Sequence, residues 1–127
     1  MPGVYDIYVK DQFAAVHALR GYDGQHAKMH GHNWTVEACI QCTKLNQRGI
    51  GIDFQDVRET LGDVVGRLSH TNLNDVAEFG AINPTTENLA KFIYSELSRR
   101  LNTAHIRVKK VSVLESRGCG AAYREIE

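Results

Sequence analysis

An excess of charge of either sign is missing from this chain: fifteen Lys and Arg are matched by fifteen Asp and Glu across 127 residues. No long-range field therefore favours nucleic acid, an anionic membrane or a strongly acidic partner. Also missing is any run of about eighteen apolar residues, the length a membrane-crossing helix needs. Met1-Pro2-Gly3-Val4-Tyr5-Asp6 carries no basic segment ahead of an apolar one, so the expectation is a cytoplasmic protein, neither secreted nor membrane-bound. Cysteine is scarce and odd in number, at three, which excludes a disulfide framework and fits a reducing compartment. The length is that of one ordinary domain spanning residues 1–127, with one site per chain.

What is present is a clear alternation of element signals. Val4 to His17 is rich in Tyr, Val, Ile and Phe and reads as a strand, with an irregularity expected near Lys10-Asp11. Arg20 to Lys28 reads as a loop. From His30 the alternation is clean: His30, His32, Trp34, Val36, Ala38 and Ile40 share one face, and Gly31, Asn33, Thr35, Glu37 and Gln41 the other. Asp53 is placed to cap a helix whose apolar stripe is Phe54, Val57, Leu61, Val64, Val65 and Leu68. Asn83-Pro84 signals the start of a second helix, with Asn as cap and Leu89, Phe92, Ile93, Leu97 and Leu101 on one stripe. The stretch from His70 to Ile82 reads as an unstructured loop. Ile106 to Glu115 and Ala121 to Ile126 form a closing hairpin turned at Ser116 to Gly120.

The order strand, strand, helix, helix, strand, strand implies an α+β fold with a four-stranded antiparallel sheet and both helices on one face. The other face and the sheet edges then need cover, which calls for an oligomer.

Six histidines are more telling than the three cysteines. His30-Gly31-His32 sets two imidazoles on one side of a strand, about 6.5 to 7 Å apart at the backbone, close enough to converge on one ion. His17 ends the preceding strand on the face of Phe13 and Ala15, and supplies a third nitrogen if the two strands pair. Three neutral imidazoles with an open fourth position describe a catalytic zinc site, in which the ion acts as a Lewis acid. The competing readings are hydrogen-bonded strand-end histidines and a purely structural zinc. Cys39 and Cys42 are three apart, so on a regular strand their thiols face opposite ways and cannot share an ion.

Taken together, Phe13-x-Ala15-x-His17, His30-Gly31-His32, Asp53-Phe54, Leu68-x-His70-x-x-Leu73-Asn74, Pro84-Thr85-Thr86-Glu87-Asn88 and Glu115 make the chain resemble the 6-pyruvoyltetrahydropterin and 6-carboxytetrahydropterin synthases over nearly its whole length. The resemblance implies a tunnelling fold, in which such subunits assemble as homotrimers or homohexamers closing a barrel, with active sites at subunit interfaces. It implies a carbon-oxygen or carbon-carbon lyase acting on 7,8-dihydroneopterin triphosphate, with zinc on His17, His30 and His32. Glu115 matches the family's pterin-anchoring glutamate, a carboxylate able to accept two hydrogen bonds from the pterin edge. Thr85 and Thr86 match further pterin contacts at a helix start.

The catalytic machinery departs from the family pattern. Family members carry a cysteine base shortly before His-Gly-His, whereas residues 21–29 here hold neither cysteine nor glutamate, and His26 stands in the cysteine's place. The family's Asp-His pair is Ser69-His70, so the histidine is kept without its orienting carboxylate. Imidazoles titrate near neutrality, which makes His26 a candidate base and His70 a candidate acid. The alternatives are cleavage of the dihydroneopterin side chain to a hydroxymethyl-pterin, as in family members whose cysteine is replaced, and a non-catalytic pterin-binding protein.

Overall fold

The computed structural model describes residues 3–115 and 118–126, and all their side chains except those of residues 25 and 26. Its elements are β1 (Tyr5–His17), β2 (His30–Cys42), α1 (Phe54–Gly66), β3 (Thr71–Asn72), α2 (Thr86–Leu101), β4 (Ile106–Leu114) and β5 (Gly120–Tyr123). The strands form one sheet in the order β3-β1-β2-β4-β5. α1 packs over β1, and α2 over β4, β5 and α1.

The expected α+β architecture with two helices is present, and its four antiparallel strands are β1, β2, β4 and β5. The sheet nevertheless has five strands and mixed orientation. β3 runs parallel to β1, pairing Ala15 with Thr71 and Val16 with Asn72. A two-residue strand has no alternation to read, so the stretch from His70 to Ile82 looked structureless. It also holds two short 3-10 turns, Leu73–Asp75 and Ala77–Phe79, which bury Leu73 and Phe79.

β1 and β2 pair without interruption from Tyr5↔Cys42 to His17↔His30, so no irregularity occurs at Lys10-Asp11. Asp11 merely interrupts the apolar face polarly, at the sheet's margin under Gly62 of α1, with its carboxylate accepting from the amide of Gln12 at 2.7 Å. The irregularity lies instead between β2 and β4, where Cys39 pairs with Lys110 but Ile40 pairs with Val108. The extra residue is Lys109, whose ammonium reaches Asp6 at 2.9 Å.

Between sheet and helices sit Phe13, Trp34, Val36, Ile40, Leu61, Leu89, Ile93 and Val111, all buried. Cys42 joins this core while Cys39 lies on the opposite face opposite Tyr8, so the two thiols point apart as their spacing implies. Gly51 lies so close to Cys42 that a Cβ there would meet the Cys42 side chain at 2.8 Å. Only glycine permits that approach.

α1 begins as its sequence indicates, with the Asp53 carboxylate accepting from the amide of Gln55 at 2.8 Å. α2 begins two residues later than Asn83-Pro84 implied. Thr85 is its cap, accepting from the amide of Asn88 at 3.1 Å. A helix started at Pro84 would turn the Pro84 carbonyl into its own hydrogen-bond ladder, whereas that carbonyl is taken by His17.

Candidate metal centre

The unbroken β1–β2 register decides the site. Residues paired across an antiparallel ladder share a face, so His17 and His30 lie side by side on the core face. His32 follows two residues along β2, opposite Ala15. The ring centroids of His17 are 4.5 Å from His30 and 5.6 Å from His32, and those of His30 and His32 are 5.0 Å apart. One ligating nitrogen from each ring lies within 4.8 Å of the others.

Backbone carbonyls fix which nitrogen two of the rings present. His17 Nδ1–H donates to the Pro84 carbonyl at 2.7 Å, and His30 Nδ1–H donates to the Lys28 carbonyl at 2.7 Å. A carbonyl can only accept, so the proton sits on Nδ1 and the Nε2 lone pair faces the cluster. His17 is 2 % exposed, and its Nε2 is buried with no hydrogen-bond partner. An imidazole nitrogen in that position is suited to a cation. Burial pushes the His17 imidazole below its ordinary pKa, against the opposing pull of the Pro84 carbonyl, and the neighbouring His30 and His32 push the same way as burial. The outcome is a neutral ring, the form that ligates a metal.

Trp34 backs the cluster, its ring edge-on to His17 at 5.0 Å and to His32 at 5.2 Å, with Phe13 stacked behind it at 5.9 Å. Nothing in the chain's periodicity singled out Trp34 beyond a core position.

Glu115 follows the last residue of β4. One carboxylate oxygen lies 3.4 Å from His32 Nε2, and the other accepts from the Thr86 hydroxyl at 2.6 Å. The two threonines expected as ligand contacts therefore have structural occupations: Thr85 caps α2, and the buried Thr86 orients Glu115. Both still line, with His17, Tyr22, Asn83 and Glu115, a hollow of about 330 Å³ beside the histidines. That is the low end of the size range for small-molecule sites.

The two residues expected to move protons stand apart from this arrangement. The side chain of His26 lies outside the described residues. His70 adopts a positive φ of 59° at the turn out of α1, and its amide donates to the Ala14 carbonyl at 2.6 Å. It is exposed and lines a second hollow of about 630 Å³ with Ala14, Val16, Asn33 and Asn72, largely on the sheet's outer face. His32 borders that hollow as well. Among the described histidines, the metal-ligating group contains His17, His30 and His32, without His70.

The family model described as 6-pyruvoyl tetrahydropterin synthase matches residues 6–126. A protein of Archaeoglobus fulgidus, provisionally named a 6-carboxy-5,6,7,8-tetrahydropterin synthase, is 36% identical over 103 residues, covering 80% of this chain and 84% of its own. The dihydroneopterin monophosphate aldolase of Pyrococcus furiosus is 30% identical over 114 residues, covering 90% of this chain and 92% of its own. In three dimensions the 6-pyruvoyl tetrahydropterin synthase of Caenorhabditis elegans superposes with a TM-score of 0.86 at 20% identity, over 98% of this chain and 97% of that one.

Proposed function

Because the chain belongs to the 6-pyruvoyl tetrahydropterin synthase family, we propose that it is a zinc-dependent lyase of pterin metabolism acting on the side chain of 7,8-dihydroneopterin triphosphate. The observation that carries this reading is the convergence of three imidazoles beside Glu115, at the edge of the hollow that His17 and Glu115 line. An anion-anchored heterocycle and a metal-held side chain fit that pairing.

His17, His30 and His32 would hold the ion, and zinc bound there supplies Lewis-acid polarisation of a side-chain hydroxyl. Glu115 accepts from the N–H groups of the pterin edge, and Thr86 fixes the carboxylate for that contact. The carbonyls of Pro84 and Lys28 hold two of the rings in their ligating orientation. His26 is the candidate base, on the family spacing. His70 lines a hollow that His32 also borders and is the candidate acid. The uncovered sheet face and the family resemblance add a homotrimer or homohexamer to the reading. We read the protein as a single cytoplasmic unit with a small-molecule pterin as its partner.

A second outcome for the same pocket has a specific observation behind it. The Pyrococcus relative, matched over nearly all of both chains, is named an aldolase, and residues 21–29 here contain no cysteine. Side-chain cleavage to a hydroxymethyl-pterin is that alternative. Zinc-loaded protein incubated with dihydroneopterin triphosphate, and separately with the monophosphate, distinguishes the two by mass spectrometry of the product. A carboxy- or pyruvoyl-pterin supports the first reading and a hydroxymethyl-pterin the second. Binding without turnover leaves only a pterin-binding protein.

A further inference from the structure

The loop after β1 borders the Glu115 hollow with Leu19 and Tyr22 and is tied down at Ala18 and Arg20. Asn74 accepts from the Ala18 amide at 2.8 Å and donates to the Ala18 carbonyl at 2.9 Å. Asn83 does the same for Arg20, at 2.7 and 2.9 Å. The Arg20 guanidinium completes the strap, donating to the carbonyls of Ile82 at 2.9 Å and Asn74 at 3.2 Å. Each asparagine thus imitates a neighbouring strand, pairing with both the amide and the carbonyl of one residue. All of these bonds run to residues 54 to 63 positions away in the chain. A loop held this way has little entropy left to lose when a ligand arrives.

What the strap presents is Tyr22. Its side chain is 58 % exposed, and it is the one aromatic besides His17 among the described residues lining the hollow. The remaining wall is Leu19 and the polar Asn83, Thr85, Thr86, Glu87 and Glu115, so Tyr22 is the flat apolar surface it offers. Glu115 can grip only the edge of a flat heterocycle, so the ring face needs an apolar surface of its own. We propose that Tyr22 is a specificity-determining residue, packing its ring against the face of a planar, N–H-edged bicyclic heterocycle whose edge Glu115 holds. The site then selects aromatic bicycles over the acyclic hydroxy-compounds that a metal ion alone would accept. This inference rests on the pterin reading and extends it.

Zinc-loaded protein titrated with neopterin, whose own fluorescence reports binding, tests it against Tyr22→Leu and Tyr22→Phe. Acetohydroxamate serves as a probe that engages the metal and not the ring site. Tyr22→Leu should weaken neopterin binding about ten- to a hundredfold, the scale of losing one aromatic stacking partner. Tyr22→Phe should stay within about threefold of the parent, with zinc content and acetohydroxamate affinity unchanged in both. Parent-like neopterin binding by Tyr22→Leu overturns the inference and leaves the pterin reading standing. The inference also fails if Tyr22→Phe loses as much as Tyr22→Leu, or if Tyr22→Leu weakens both probes alike. Failure of the parent protein to bind neopterin while it still binds acetohydroxamate overturns the pterin reading itself.

Discussion

At the scale of single residues, the site depends on hydrogen bonds that free one atom by occupying another. Nδ1 of His17 and of His30 is committed to a carbonyl, which leaves Nε2 for an ion. On the proposed zinc site, removing one of three ligands should cost most of the metal affinity: by elemental analysis after dialysis with zinc, the parent should hold about one ion per chain and His32→Ala well under that. Trp34 offers an optical check, being the chain's single tryptophan and lying 5.2 Å from the His32 ring. Cobalt(II) added to metal-stripped parent protein should quench its emission, and added to His32→Ala should not. Thr86 is a subtler case, since its hydroxyl touches Glu115 and not the histidines. Thr86→Val should leave zinc content intact and weaken neopterin binding about three- to tenfold, the worth of one oriented hydrogen bond to a carboxylate. Thr86→Ser should restore it.

At the scale of elements, most of what shapes the hollow is the junction before α2. Two residues there divide the labour that the sequence reading had assigned to one. Asn83, expected as the helix cap, holds Arg20 of the loop, and Thr85 caps the helix. Thr85→Ala should accordingly lower stability by about 1 kcal/mol in urea unfolding, the usual cost of a lost cap. Asn83→Ala should leave α2 intact by circular dichroism while speeding protease cleavage within residues 18–23. The interface between α1 and α2 is tied by Arg67, which donates to Glu78 and Glu96 at 2.6 Å each while its guanidinium lies 5.3 Å from the centre of the Phe92 ring. That clamp sits far from His17, His30 and His32 in chain order, and it secures the helices that cover their face of the sheet.

For the whole molecule, the notable feature is what the helices leave uncovered. The sheet's outer face carries Tyr8 at 54 % exposure and the pairs Lys10–Glu37 and Lys109–Asp6, and β5 ends the sheet as an edge. His70 opens onto the same side, outside the group of His17, His30 and His32 although His32 borders its hollow. Light scattering should find particles of three or six copies of the 14.2 kDa chain. A monomer at micromolar concentration would overturn the oligomer expectation. No helix among the described residues is long and apolar enough to cross a membrane, in keeping with the chain's lack of long apolar runs.

The strands and helices with strong periodicity, and the three histidines as a group, could be read directly from residue order, because side chains alternate on a strand and recur every three to four positions on a helix. Alternation put His17, His30 and His32 on the apolar faces of their strands, while the register that sets His17 opposite His30 came with the pairing of β1 and β2. Three things could not be read that way. β3 is too short to show a period, the extra residue of the sheet sits in β4 at Lys109 and not at Asp11, and the capping role passed from Asn83 to Thr85. Each was settled by partners distant in sequence: β1 for β3, Asp6 for Lys109, and His17 competing for the Pro84 carbonyl. Local patterns record what a residue prefers, and only the packed chain decides which of its possible partners arrives.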